Sequence, residues 1–324
     1  MHYMHPMHHI QSIARTMFHV LALVGRLCRR CTVTLARLAA VATLGLYAMS
    51  TDVAAADAHD AASLLARYAE LAPQLQNNQF QRPLYINSTE SPDSLKGDIF
   101  AVLDYPFATV NAAFNGPEHW CDMLILHLNT KYCRAASQGG KNQLMVSVGK
   151  KHDQPLADAY RVNFNLAVAG STPEYLDVVL SARDGPMGTS DYRILLQAVA
   201  LPNGRTFMHL TYSYAYGMAA RIAMKAYLST VGSGKVGFTR TQGSGEAQYI
   251  GGVRGVVERN TMRYYLAIDA YLSAVSLPEA QQLDRRLQTW FAATERYPRQ
   301  LHEVERNEYI EMKRSEYQRQ QTAH

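Results

Sequence analysis

The sequence predicts an α+β fold in which a run of antiparallel strands is followed by a long C-terminal helix. Two observations support this prediction. Strand-like segments follow one another with only turn residues between them, and residues 253–275 carry apolar side chains at every third or fourth position. Strands at such short spacing form a meander, not alternating βαβ units. The amphipathic helix then requires the sheet as an apolar surface against which to pack.

The first 56 residues predict a cleavable signal peptide. Residues 1–37 contain basic side chains and no acidic ones, and Leu38–Met49 form a mostly apolar run. That run spans about 18 Å as a helix, too short for a bilayer core of about 30 Å. Small residues follow it, so we expect cleavage after Ala56 or Ala58 and a periplasmic or secreted protein. The alternative is an uncleaved amphipathic anchor.

The positive net charge lies mostly in this leader. The chain has 32 basic and 27 acidic residues, of which residues 1–56 hold five arginines and one aspartate. The remaining 27 basic and 26 acidic residues nearly balance, so the composition offers no basic excess for a nucleic-acid partner. A mean hydropathy of -0.20 argues against a polytopic membrane protein.

A helix opens the predicted mature chain. Residues 59–76 carry four leucines and a tyrosine at helical spacing. The polar stretch that follows contains Pro83 and Pro92, and it predicts a loop or an extended arm. We expect the folded core to begin at Gly97, with a strand over 98–105.

Two short helices and six strands come next. Pro106 ends the first strand, and Gly116-Pro117 separates a helix over 107–114 from one over 118–126. Turn residues delimit the strands, and Asn203-Gly204 is the strongest hairpin indication. The predicted strands cover residues 127–135, 143–150, 160–169, 175–182, 192–201 and 206–216.

Helices complete the chain. Residues 219–230 predict one helix, and 253–275 predict the longest. The charged segment 279–321 has few apolar residues and predicts two surface helices broken near Pro298. We expect this pair to be solvated; the alternative is contact with a membrane surface or an envelope protein.

Two cysteines, Cys121 and Cys133, remain once the leader is removed. An even pair in an oxidising compartment indicates one disulfide. Two buried thiols are the alternative.

No metal, cofactor or catalytic residue is predicted. His119 and Asp122 lie three positions apart on one helix, but His127 falls beyond its end and no fourth ligand is near in sequence. The chain lacks a G-x-S-x-G nucleophile elbow. Acid–base catalysis by an isolated tyrosine, by His209 or by Asp184 stays open.

Two stretches resemble a known superfamily. In the first, the strand after Asp98 leads into the segment 105–110, and the stretch ends in Pro-Glu-His-Trp at 117–120. In the second, Gly252–Tyr271, the helix carries glutamate, asparagine, arginine and tyrosine residues. Together they resemble the START-like (SRPBCC, helix-grip) superfamily of lipid-transfer proteins and polyketide cyclases, over residues 97–275. The insertion at 219–245 and the charged tail depart from the simplest plan of that superfamily.

The resemblance implies a curved antiparallel sheet wrapped around the long helix, with an apolar cavity between them. The domain organisation would then be a signal peptide at 1–56, a helix and linker at 57–96, the START-like domain at 97–275 and a charged helical tail at 276–324.

Alternate residues of the strand over 206–216 share one face and include three tyrosines. Tyrosine offers apolar area with a hydroxyl group, which suits a hydrophobic ligand that has one polar group. Asn260 leans inward on the long helix. The expected ligand-binding residues are Tyr212, Tyr214, Tyr216, Val256, Asn260, Tyr264 and Ile268. The alternative is that the tyrosines belong to an ordinary core edge.

Glu258, Arg259 and Arg263 lie on the same long helix. They predict a solvated face or a brace for neighbouring strands, and a buried pair that anchors the polar end of a ligand is the alternative.

The sequence thus favours an exported binding or transfer protein for a lipid or other hydrophobic small molecule. The alternatives are an enzyme of the cyclase or aromatase kind that uses the same cavity, and an envelope interaction protein whose cavity is closed.

Overall fold

The computed structural model describes residues 60–230, 234–241 and 248–322. The described residues belong to one compact unit, Ala58–His324. The predicted leader and its cleavage sites lie outside the described residues. Within the described ranges, no helix has the length and apolar character needed to cross a membrane.

Eight of the described strands form one antiparallel sheet with the order β1-β2-β8-β7-β6-β5-β4-β3. Strands β3 to β8 therefore make a meander, while β1 and β2 join it beside β8. The strands are β1 Leu84–Glu90, β2 Ser94–Leu103, β3 Thr130–Gln138, β4 Lys141–Val148, β5 Tyr160–Ser171, β6 Tyr175–Asp184, β7 Thr189–Ala200 and β8 Thr206–Tyr216. A short pair, β9 Arg240–Thr241 and β10 Gln248–Tyr249, stands apart from this sheet.

The long helix, Gly252–Leu272, packs against β1, β2 and β8. Gly97 permits this close approach, because a Cβ at that position would lie 2.3 Å from Oγ1 of Thr261. The helix contributes Val257, Met262 and Tyr265 to a core in which each is fully buried. A curved antiparallel sheet wrapped around a long C-terminal helix is the helix-grip architecture that the sequence predicts, and the prediction is confirmed.

Eight further described helices surround this unit. In chain order with the long helix they are α1 Ala61–Glu70, α2 Ala72–Gln76, α3 Phe107–Phe114, α4 Trp120–Leu124, α5 Met218–Ser229, α6 Gly252–Leu272, α7 Glu279–Thr294, α8 Pro298–Leu301 and α9 Arg306–Thr322. Helix α1 covers the other face of the sheet, where Leu64 packs with Val199 and Phe207.

The stretch predicted as a loop or extended arm is the edge strand β1. It pairs with β2 in a continuous register from Leu84↔Ala101 to Glu90↔Leu95. Leu84 and Ile86 are buried on the same side of the strand, so the short stretch has the alternation of a strand. The polar residues around this alternation obscured it in the sequence.

The C-terminal helices break near Pro298 as predicted, but the expectation of a solvated pair is wrong. Trp290 of α7 stacks on Tyr309 of α9 with ring centroids 4.8 Å apart, and both side chains are buried. Helix α7 packs on α6, and α9 packs on β3. Lys313 and Glu316 of α9 are also fully buried, so charged residues that suggest a solvated helix here face the protein interior.

Candidate functional site

Four aromatic rings meet between the sheet and α6. The ring centroids of Tyr212 and Tyr264 lie 5.2 Å apart, and those of Tyr212 and Tyr214 lie 5.6 Å apart. Tyr192 of β7 stacks on Tyr214 at 5.3 Å. We call these four residues the tyrosine cluster. Strand alternation explains their position, because Tyr212 and Tyr214 both point from β8 toward the helix.

Three hydroxyl groups of this cluster make no hydrogen bond within the part of the chain that the structure describes. Among the described residues, no hydrogen bond joins the hydroxyls of Tyr212, Tyr214 or Tyr264 to another group, whereas the Tyr192 hydroxyl bonds to Thr189 at 2.8 Å. Burial raises the pKa of all three unbonded hydroxyls, so they are protonated donors at neutral pH. Each of these hydroxyls can therefore donate a hydrogen bond to a polar group of a ligand or to water.

His127 adjoins the tyrosine cluster, with its ring stacked on Tyr264 at 4.8 Å. Its Nδ1 accepts the backbone N–H of Asn129, which places the remaining proton on Nε2. That Nε2 is buried and makes no hydrogen bond within the described residues. Burial lowers the pKa of His127 well below its usual range, and the positive charge of Arg263 lowers it further. The ring is therefore a neutral donor at physiological pH.

The structure brings together part of the set expected from the sequence. Tyr216 lies beside Tyr214 at 6.4 Å, but its hydroxyl donates to the carbonyl of Ser91. Ile268 is fully buried in the same core, while Val256 and Asn260 are half-buried.

Two members of the site, Tyr192 and His127, are not among the residues predicted from the sequence. Tyr192 faces the helix because it alternates with the buried residues Ile194 and Leu196 on β7, a pattern that the sequence contains. The sequence suggests His127 only as a candidate metal ligand, because the residues next to it in sequence do not indicate that its loop is buried.

Three cations converge on one carboxylate next to this region. Oε1 of Glu303 lies 2.6 Å from Nζ of Lys151 and 2.8 Å from a terminal nitrogen of Arg263, and its Oε2 lies 3.4 Å from Nζ of Lys235. We call these four residues the Glu303 cluster. Burial alone would raise the pKa of Glu303, but the surrounding cations more than offset this, and the pKa is lowered. Burial and the charge of Arg263 lower the pKa of Lys151 to about 8.

Glu258, Arg259 and Arg263 are buried, so the prediction that they form a solvated face of the helix is wrong. Their contacts agree better with the prediction that they brace neighbouring strands. Glu258 accepts four hydrogen bonds: from the hydroxyls of Ser88 and Thr239 and from the backbone N–H groups of Phe238 and Thr239. This carboxylate joins α6 to β1 and to the segment that precedes β9.

The opposite face of the sheet carries a separate polar network. His209 bonds to Asp98 at 2.9 Å and to Gln197 at 3.2 Å, and its ring stacks on Phe100. Burial would raise the pKa of Asp98, but the hydrogen bond and charge of His209 more than offset it and lower the pKa. Residue alternation on β8 places His209 away from the tyrosine cluster, so it is not positioned to act there.

A groove of about 1430 Å³ lies between α3, the end of α6, α7 and α9. Arg286 is held there by Asp122 at 2.9 Å and lies 4.4 Å from the Tyr271 ring centroid. Asp122 is thus an ion-pair partner, while His119 lies exposed beside Tyr271. The charge of this groove is compensated locally, unlike that of the Glu303 cluster.

Cys121 and Cys133 form a disulfide, with Cα atoms 5.2 Å apart. The bond joins α4 to β3 and closes the loop that contains His127. The disulfide agrees with the expectation drawn from the even cysteine pair.

No protein-family model and no curated protein matches the sequence significantly. Solved structures that the comparison finds include a protein from Arthrobacter aurescens, 15% identical over 56% of this chain and 87% of that one, with a TM-score of 0.30. Norcoclaurine synthase from Thalictrum flavum is 10% identical over 46% and 76% of the two chains, with a TM-score of 0.28. Human StAR-related lipid transfer protein 5 is 9% identical over 52% and 89%, with a TM-score of 0.29. The helix-grip assignment therefore rests on the strand order and on the position of α6.

Proposed function

We propose that this chain is an exported protein that binds a hydrophobic small molecule between the sheet and α6. The observation that supports this most strongly is the tyrosine cluster, where the hydroxyls of Tyr212, Tyr214 and Tyr264 make no hydrogen bond among the described residues. A ligand with an apolar body and a polar group would pack against the rings and bond to the hydroxyls.

Two observations support export. The N-terminal sequence has the charge and length pattern of a signal peptide. The disulfide Cys121–Cys133 is of a kind that persists in oxidising compartments and is rare in the cytosol.

One experiment tests both parts. The full chain, including residues 1–56, is expressed in an exporting bacterium, and the purified protein is examined by native mass spectrometry and then by solvent extraction. We expect an intact mass that begins after Ala56 or Ala58, and a co-purifying apolar molecule that extraction releases.

The matched variants are Tyr264→Trp and Tyr160→Phe. The larger indole of Tyr264→Trp is expected to obstruct the proposed site beside Tyr212 and to remove the co-purifying molecule. Tyr160 is exposed on β5, so Tyr160→Phe is expected to retain it. A protein that is empty on purification and takes up neither oleyl alcohol nor a panel of membrane lipids would overturn the binding proposal.

A further inference from the structure

Among the described residues, two clusters close to the tyrosine cluster hold more cationic side chains than carboxylates. In the Glu303 cluster, three cationic side chains share one carboxylate. Lys131 and Lys313 likewise share Glu316, at 3.0 and 2.7 Å. Removing charge from water costs several kcal/mol per ion unless a partner of opposite charge compensates. An excess of cations in partly buried positions therefore favours an anion from outside the chain.

The lysine side chains of the Glu303 cluster are partly exposed to solvent. The Lys151 side chain is 24% exposed and that of Lys235 is 27% exposed. Lys235 donates to the carbonyl of His302 as well as contacting Glu303, whereas Glu303 is the only hydrogen-bond acceptor of Lys151 among the described residues. An ammonium has three donors, so Lys151 retains two for an incoming oxygen.

The Glu303 cluster and the tyrosine cluster are contiguous. Arg263 and Tyr264 are consecutive on α6, and the His127 ring stacks on Tyr264. The charges of Arg263 and Lys151 both act on that ring. The Nε2–H of His127 lacks an acceptor within the described residues, so this neutral donor, like the cations whose charges act on its ring, is suited to an incoming oxygen acceptor.

We propose that the Glu303 cluster binds the anionic group of an amphiphilic ligand, a carboxylate or a phosphate monoester, whose apolar part lies against the tyrosine cluster. The inference rests on the proposed function and assigns the polar end of that ligand. Lys151 and Lys235 bind the anionic oxygens, and Glu303 holds the two ammonium groups in place when the site is empty.

The test compares ligands that share one chain and differ at the polar end. Isothermal titration calorimetry measures the dissociation constants of oleate, oleyl phosphate and oleyl alcohol, each below its micellar concentration, with delipidated mature protein. Inorganic phosphate is titrated separately to distinguish an amphiphile from a free anion. We expect the two anionic amphiphiles to bind about tenfold or more tighter than the alcohol, since only their charged oxygens form charge-assisted hydrogen bonds with the ammonium groups.

The double variant Lys151→Met/Lys235→Met removes both accessible ammonium groups but keeps their apolar stems. It is expected to lower the affinity for oleate about tenfold and to leave that for oleyl alcohol unchanged. Lys141→Met is the control, because Lys141 is exposed on β4 and contributes to neither cluster. Circular dichroism verifies that each variant is folded, and Lys151→Arg, which keeps the charge, is expected to retain the preference for oleate.

The outcomes separate this inference from the proposed function. Equal affinity for oleate and oleyl alcohol would overturn the proposal of an anion-binding site but not the proposal that the protein binds a hydrophobic molecule. Failure of all three amphiphiles to bind overturns both. If inorganic phosphate binds as tightly as oleyl phosphate, the Glu303 cluster binds a free anion, and the proposal of an amphiphilic ligand is overturned.

Discussion

Single buried side chains with several partners fix the relation between helix and sheet. Glu258 is fully buried on α6 and accepts hydrogen bonds of 2.6 to 2.9 Å from β1 and from residues 238–239. A carboxylate is acceptor-only, so it can take all four without competing donors. The sequence shows only a charged residue on an amphipathic helix.

Replacing Glu258 with alanine is expected to lower the free energy of unfolding by about 3–5 kcal/mol, because four donors lose their acceptor in a buried position. Urea unfolding followed by circular dichroism measures the change. Glu90→Ala, at the exposed end of β1, is the control and should stay within about 0.5 kcal/mol of the parent chain. Equal stability of the two variants would show that Glu258 does not brace the helix.

The sequence pattern was sufficient to predict the tyrosines of the candidate site but not the charged residues beside them. The tyrosines of β8 follow from strand alternation, which is a local pattern. Lys151 and Arg263 both donate hydrogen bonds to Glu303, which lies 152 residues from the first and 40 residues from the second in sequence. Ionic contacts of this kind depend on tertiary placement, so the residues appear in the sequence as ordinary surface charges.

At the level of elements, α9 protects the edge of the sheet. Strand β3 is the last strand on its side, and the backbone N–H of Cys133 donates to the Gln320 side chain of α9. Lys131 of β3 and Lys313 of α9 meet at Glu316, and all three side chains are almost completely buried. An exposed edge strand invites pairing with other chains, and the helix removes that exposure.

Glu316→Gln leaves two buried lysines without a carboxylate and is expected to destabilise the protein by about 3–5 kcal/mol. Glu311→Gln, on the exposed side of the same helix, is the control. Hydrogen exchange provides the second readout, since the Cys133 amide should exchange faster in Glu316→Gln as α9 detaches. An unchanged exchange rate with an unchanged free energy of unfolding would mean that the cluster does not hold α9.

The order of elements could be predicted from the sequence, because each strand and helix carries its own periodicity. The predicted strand over 206–216 coincides with β8. The predicted long helix begins at residue 253, one residue after the first residue of α6. Strand β1 and the packing of α7 and α9 could not be predicted, since their few buried residues gain meaning only from distant partners.

At the scale of the whole molecule, burial of ionisable groups sets an alkaline optimum of stability. Burial lowers the pKa of Lys151 and Lys313 from 10.5 to about 8. Between these values the unfolded chain binds more protons than the folded one, so the free energy of unfolding rises with pH. Burial raises the pKa of Tyr105 and Tyr271 from 10.0 to about 12, which reverses the sign above pH 10 because unfolded tyrosines ionise first.

We therefore expect maximal stability between about pH 8 and pH 10, above the range of about 5 to 8 that is usual for proteins. Urea unfolding at half-unit steps from pH 6 to pH 11 measures the curve. Lys151→Met should show a smaller rise above pH 8, while Lys141→Met should follow the parent chain. A steady fall in stability from pH 7 to pH 9.5 would contradict the assignment of these lysines.

The contact that closes the sheet edge has a consequence for biosynthesis. Lys131 finds Glu316 only 185 residues later in the chain. A ribosome or a translocation channel that delivers the chain from its N-terminus therefore presents β3 long before its cover arrives. For that interval the nascent protein has an open strand edge that can aggregate. We therefore expect co-expression of a holding chaperone to raise the yield of folded protein more than a faster rate of synthesis does.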